Sequence, residues 1–153
     1  MPSWFRDPGA PPPNRPRKVG VCFVVEVEGK VLVDTRLDGE LAFTGGTLEE
    51  DESVLECLAR ELREETGMGL LDARLLGVFS DPSRLIGYQD GSVHPVLTIA
   101  FVATPTPGAP VASEESLGLR LVERKALPGL PLTAVHRQIR DAYLAFDGMP
   151  VVR

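Results

Sequence analysis

The stretch GGTLEEDESVLECLARELREETGM, residues 45–68, decides how this chain is read. Within it Leu55, Leu58, Ala59 and Leu62 fall at i, i+3, i+4 and i+7, the spacing of one apolar stripe on an α-helix, so this stripe is expected to face a core. Ser53 followed by Glu56 fits a capping box at the start of that helix. Gly67 is the residue that most easily takes the left-handed conformation at its end. The helix is therefore expected from Ser53 to Thr66, with both boundaries marked.

A second sector of the same helix carries Glu61, Glu64 and Glu65, again at i, i+3 and i+4, so their carboxylates are expected to converge. Stability alone would not select this. Glu61 and Glu65 are a like-charge i, i+4 pair, and Glu64 and Glu65 sit in the last turn, where the helix dipole disfavours anions. A solvated acidic face, helped by an Arg60–Glu64 pair, is the plain structural alternative. Three carboxylates facing one point are also what a hard divalent cation needs, since Mg²⁺ takes oxygen ligands and keeps waters that bridge to substrate phosphates.

Gly46, Glu52, Arg60-Glu61-Leu62, Glu64-Glu65, Gly67 and Met68 match the Nudix box, G-x5-E-x7-R-E-U-x-E-E-x-G-U with U apolar, at every fixed position. On these residues the chain resembles the Nudix hydrolases. The resemblance implies an α/β fold, an α/β/α sandwich with a mixed β-sheet. It also implies Mg²⁺-dependent cleavage, with Mn²⁺ as a possible substitute, of a pyrophosphate bond in a nucleoside diphosphate derivative. A nucleotide sugar such as ADP-ribose and a nucleoside triphosphate are both open as substrates. Glu61, Glu64 and Glu65 would hold the metal together with the carbonyl oxygen of Gly45, Arg60 would keep the carboxylates in register, and Glu52 would support the loop and the helix start. Two departures are visible: Thr44 stands where many members have Pro, and Asp51 where Gly is frequent. Neither is a ligand position. Pro82 lies near a Pro found downstream of the box in ADP-ribose-cleaving members, about one residue out of register.

Related enzymes often place a base or extra ligand on a loop after the box. The acidic segment Ser113-Glu114-Glu115-Ser116 is the candidate, with Glu115 preferred to Glu114 because it lies nearer the following strand, and Glu123 in reserve. A solvated loop is its plain reading. Arg36 and Arg84 could meet a substrate phosphate, and Phe79 and Tyr88 could stack on a base, against the blander roles of surface ion pair and core packing. His94 and His136 read as solvated residues. The Gly45-Gly46 pair reads as a tight turn or, before this helix, as the loop of the Nudix site.

With 153 residues the chain suits one domain, and a net charge of −6 argues against non-specific binding to nucleic acid or anionic membrane. Cys22 and Cys57 form no metal or redox motif, which suggests a reducing, cytoplasmic setting. An EF-hand over Asp34–Glu40 fails, because acidic residues are missing at the required spacing.

Residues 1–17 are rich in proline and are expected to be an extended tail. Trp4, Phe5 and the basic Arg15, Arg17 and Lys18 leave open a segment packed on the domain or on the partner of a homodimer. The domain is expected over 18–148: strands at Val19–Val27, Val31–Arg36, Leu41–Phe43, Ala73–Phe79, His94–Ala103 and Leu117–Glu123, then a helix capped by Thr133 and closed by Gly148. Residues 149–153 are left as a second tail. Two rival functions are a nucleotide-sensing domain without turnover, though sensors often lose box carboxylates that this chain keeps, and a prenyl diphosphate isomerase, for which neither Cys is an obvious catalyst.

Overall fold

The computed structural model describes residues 1–153. In chain order its elements are β1 (Ser3–Trp4), β2 (Lys18–Val27), β3 (Lys30–Arg36), β4 (Leu41–Ala42), β5 (Thr44–Thr47), α1 (Val54–Thr66), β6 (Leu70–Phe79), β7 (Leu85–Gly87), β8 (Val93–Pro105), β9 (Ser116–Glu123), a 3₁₀ turn (Arg124–Gly129), α2 (Ala134–Leu144) and β10 (Val151–Val152).

Alternation predicts a half-buried first strand, yet Val21 through Val25 are all buried in β2. Both of its faces are covered, as expected of a central strand in a sheet with helices on each side. It runs parallel to β8, Lys18–Val25 against Val96–Ala103, and antiparallel to β5, with Cys22 opposite Gly45 and Val21 opposite Gly46. Beyond β8 come antiparallel β6 and then parallel β10. At the other end the Glu28-Gly29 hairpin turn hands β2 to β3, which also pairs with β4 and β9.

Two apolar clusters lie on opposite sheet faces. Val21, Phe23, Val25, Leu32 and Phe101 pack with Cys57, Leu58 and Leu62 of α1. Cys22, Val24, Val33, Ala100 and Val102 pack with Ile139 and Tyr143 of α2. The layers are α/β/α around a mixed sheet, the fold expected from the sequence. No helix is long and apolar enough to cross a membrane.

The ends of α1 match their signals: Ser53 Oγ accepts from the Glu56 N–H, Glu56 Oε2 accepts from the Ser53 N–H, and Gly67 has φ 71°. Its buried stripe is rotated from the expected one. Leu55 is 53% exposed, and Cys57 takes its place beside Leu58 and Leu62. Residues at i+4 and i+8 from Cys57 are Glu61 and Glu65, so the rotation half-buries two box carboxylates along the edge of the packed stripe.

Of the two readings left open for the amino-terminal segment, a free extended tail and a segment packed on the domain, the structure takes the second. Ser3–Trp4 pairs with Leu85–Ile86, the Gly87 N–H donates to the Pro2 carbonyl, and Asn14 Oδ1 accepts from the Val93 N–H. Trp4 fits because Gly87 has no side chain: a Cβ there would stand 2.9 Å from the indole. At the other end, Val151–Val152 forms β10 where a tail was expected. α2 stops at Ala145, short of Gly148, and the Thr133 side chain makes no capping bond.

Candidate active site

Gly45 and Gly46 lie in strand β5 and not in a turn or loop. The register explains why both are glycine. A Cβ on Gly45 would collide with the carbonyl of Val21 in the neighbouring strand, and one on Gly46 would occupy the space of the Glu61 carboxylate. The pair therefore lets α1 press its acidic edge directly against the sheet.

Arg60 is the organising cation of that edge. It donates to both oxygens of Glu52 (2.9 and 2.7 Å), to Glu61 (2.8 Å) and to Glu64 (3.3 Å). Glu52 also accepts from the Glu49 N–H at 3.0 Å, so it joins the loop to the helix, and Arg60 holds its carboxyl well below the usual range. Glu65 turns the other way: it accepts from the Gly45 N–H at 2.9 Å and faces Arg36 at 3.5 Å. Its side chain is 12% exposed, and burial pushes it up to about 8 against the opposing pull of Arg36 and the Gly45 N–H. Burial also raises Glu61, although Arg60 opposes it.

The box carboxylates thus face one cavity without meeting at a point, which corrects the expected convergence. No three Asp, Glu, His or Cys side chains are gathered closely enough to enclose an ion as they stand. The cavity, about 270 Å³, is lined by Glu61, Glu64, Glu65, Ser113, Glu114 and Glu115 and by nothing apolar. Five carboxylates around one space, two of them driven upward by burial, are a donor set suited to a hard cation. Glu114 and Glu115, named from sequence position alone, are brought to the box helix. Asp34, buried in β3, anchors their loop: it accepts from the Ser116 hydroxyl and pairs with Arg36 at 3.4 Å. Glu123 lies elsewhere, paired with Lys30 at the end of the β2–β3 hairpin.

Across the glycine strand lies a different space, a cleft of about 120 Å³ with Gly45 and Gly46 in one wall. Its floor is the alternate residues Lys18, Gly20 and Cys22 of β2 and His94, Val96 and Thr98 of β8; Arg36, Ile86, Tyr88, Val135 and His136 also line it, with Met1 of the amino-terminal segment, Val21 and Thr47. Lys18 Nζ lies 4.3 Å from the Tyr88 ring centre, donates to its hydroxyl at 3.2 Å and has no ion-pair partner. A second cavity, about 360 Å³, shares Arg36 and His136 with the cleft and Glu115 with the acidic cavity.

Several side chains fall outside these spaces or in unexpected roles. Arg84 is wholly buried, donating to Val135 O, Gln138 and Thr98, so it braces the core and meets no phosphate. Phe79 is equally buried. Pro82 is exposed and lines none of the cavities described. His94 and His136, read as solvated, are both half-buried cleft residues. Lys18 and His136 were not signalled: the first ends a proline-rich run and the second sits in a helix of ordinary amphipathic pattern.

A profile of the NUDIX domain matches residues 14–143, most of the chain and the whole of the site. The chain belongs to the Nudix family. Among its relatives, the ADP-ribose pyrophosphatase of Methanocaldococcus jannaschii is 31% identical over 130 residues, covering 82% of this chain and 72% of that protein. The nucleoside triphosphatase NudI of Escherichia coli is 33% identical over 89 residues, covering 54% and 63%. The crystal structure of the mutator MutT protein of Bacillus halodurans superposes with a TM-score of 0.71 at 27% identity, over 86% of this Nudix chain and 85% of its own. Nudix hydrolases generally use divalent metal ions, in keeping with the acidic cavity.

Proposed function

We propose that this Nudix hydrolase is a Mg²⁺-dependent pyrophosphohydrolase of nucleoside diphosphate derivatives, working in a reducing cytoplasm. The observation that carries the reading is the glycine strand between the two spaces: Gly45 and Gly46 line the cleft while touching Glu65 and Glu61 of the acidic cavity. A nucleoside in the cleft places its phosphates against the glycine strand and over the carboxylates. What a divalent ion supplies there is neutralisation of the diphosphate and a more acidic water.

The chain's own residues do the rest. Glu61, Glu64 and Glu65 are the proposed ligands, with the carbonyl of Gly45. Arg60 sets Glu61 and Glu64 by direct bonds, and Arg36 sets Glu65. Lys18 is the unpaired cation at the cleft's far end, placed to meet an anionic group of the substrate. Glu114 and Glu115 overhang the cavity from a loop pinned by Asp34, and Glu115 is the proposed base. Cys22 reaches the cleft, but burial pushes its thiol up to about 12, so it does not supply the reactive Cys of an isomerase.

The test is a panel of nucleoside diphosphate sugars and nucleoside triphosphates assayed with MgCl₂ or MnCl₂, with products identified. Release of nucleoside monophosphate with either salt, and none in excess chelator, is expected. Full turnover in chelator contradicts the reading. On the best substrate, Glu115→Gln should change the pH profile at saturating Mg²⁺. Wild-type profiles for both Glu115→Gln and Glu114→Gln would transfer the base role to Glu61.

A further inference from the structure

The Phe43 N–H donates to Nδ1 of His136 at 3.0 Å. A ring nitrogen that accepts carries no proton, so the imidazole is neutral and its proton is on Nε2. Burial also holds His136 far down, at about 3, with the Arg36 and Arg84 charges acting in the same sense. The ring plane is fixed as well, stacked on Phe43 with centroids 5.9 Å apart and 22° between planes. Nε2 has no protein partner, yet it is not among the buried polar atoms left unpaired, and His136 lines both the cleft and the cavity beside it. The result is one oriented N–H donor, unable to act as an acceptor, opening onto the cleft.

Its setting favours a base over a phosphate as the group it meets. Val135 and Ile86 stand beside it in the lining of both spaces, apolar surface for a base to pack on; Arg36, the cation nearby, is engaged by Asp34 and Glu65, and the unpaired cation suited to phosphate is Lys18. Along β2 and β8 the floor extends for about four residues, roughly 13 Å at 3.3 Å per residue, long enough for a base and its ribose.

We infer that His136 reads the nucleobase, its Nε2–H donating to an exocyclic carbonyl oxygen, so that this enzyme prefers oxo bases to the amino bases that carry an exocyclic NH₂ in its place. A fixed donor facing a carbonyl forms a bond, while facing an amino group it leaves two donors opposed and unsatisfied. The inference deepens the proposed function by naming the base class, and it rests on the nucleoside occupying the cleft.

The test uses binding, so that it does not depend on turnover. Calorimetry on the full chain in MgCl₂ compares the α,β-methylene analogues of inosine with adenosine triphosphate and of uridine with cytidine triphosphate, whose bridging carbon prevents release of the monophosphate. Tighter binding of the oxo member, by about tenfold in at least one pair, is expected for a hydrogen bond gained against a clash. His136→Asn separates reading from folding. Asn Oδ1 occupies the position of Nδ1 and can still accept from Phe43, but nothing replaces Nε2–H, so the oxo preference should vanish with the fold retained. His136→Gln restores a donor near Nε2 and should recover part of it. Nitrogen NMR of the free protein should show the neutral Nε2–H tautomer. No oxo preference in the wild type, a preference unchanged in His136→Asn, or equal weakening of every nucleotide, as a phosphate contact would give, overturns the inference. Failure of the proposed function is seen separately, as absent metal-dependent hydrolysis of the parent nucleotides.

Discussion

The acidic cavity and the cleft meet at the Gly45-Gly46 strand, which lines the cleft and touches Glu61 and Glu65 of the cavity, but they are built in opposite ways. The cavity is written almost contiguously: Glu61 to Glu65 on one capped helix, plus one loop. The cleft is assembled from β2, β5, β7, β8, the start of α2 and the amino-terminal segment. Local spacing can specify the first, since carboxylates at i, i+3 and i+4 share a helix face whatever surrounds it. Only the strand register brings Lys18, Tyr88 and His136 together, and the register is a property of the folded sheet. The difference separates chemistry from recognition, and substitutions should separate them likewise.

The largest effect is expected on the cavity side. Glu64→Gln or Glu65→Gln should lower kcat by roughly 100-fold or more while KM for the nucleotide changes little. Thermal unfolding of Glu64→Gln should show the fold intact, because Glu64 is 59% exposed and the change removes a like charge. A fall in KM-governed binding with normal kcat would erase the proposed division.

On the cleft side, Gly20→Val is the sharpest probe. A Cβ at Gly20 would make only ordinary contacts, 3.7 Å to Val96 and 3.8 Å to the Gly46 carbonyl, so a side chain can begin there without collision. KM should rise about tenfold, with kcat on saturating substrate retained. Steady-state kinetics with an oxo-base nucleotide checks this.

Deleting residues 1–13 tests the packing of the amino-terminal segment. Proline-rich composition suggests an extended tail, but Trp4 on Gly87 and the β1–β7 pairing hold the segment that carries Ile86 and Tyr88. Loss of that strap should lower Tm by about 5 °C and raise KM. An unchanged Tm and KM would restore the tail reading. A two-residue strand has no periodicity to detect, and its partner β7 is equally short, so neither was legible in the sequence. The same limit applies to β10. The box helix, its caps, the Glu28-Gly29 hairpin and the long strands were legible because each repeats a pattern over several turns or alternations. Phe79 takes the core-packing role that the sequence left open, whereas the burial of Arg84 was not legible, because an arginine braced by Thr98, Val135 and Gln138 looks in sequence like any other arginine.

The smallest expected effect is on stability against pH. His136 is neutral in the fold and titrates far below its ordinary value, while the unfolded chain takes up that proton near 6.5. Between these two values the unfolded state binds more protons, so stability present above about pH 6.5 is lost progressively as pH falls toward 3. Urea unfolding at pH 7 and pH 5 should show a smaller acid loss in His136→Asn than in the wild type.

The division of labour at the glycine strand is tested most directly by one kinetic cycle: wild type, Glu64→Gln, Gly20→Val and the double variant, on one nucleotide with saturating Mg²⁺. A kcat loss confined to Glu64→Gln, a KM rise confined to Gly20→Val, and a double variant showing both in full are predicted, because independent sites add. Loss of kcat in Gly20→Val equal to that in Glu64→Gln would contradict it, showing that the cleft is not where the nucleoside binds.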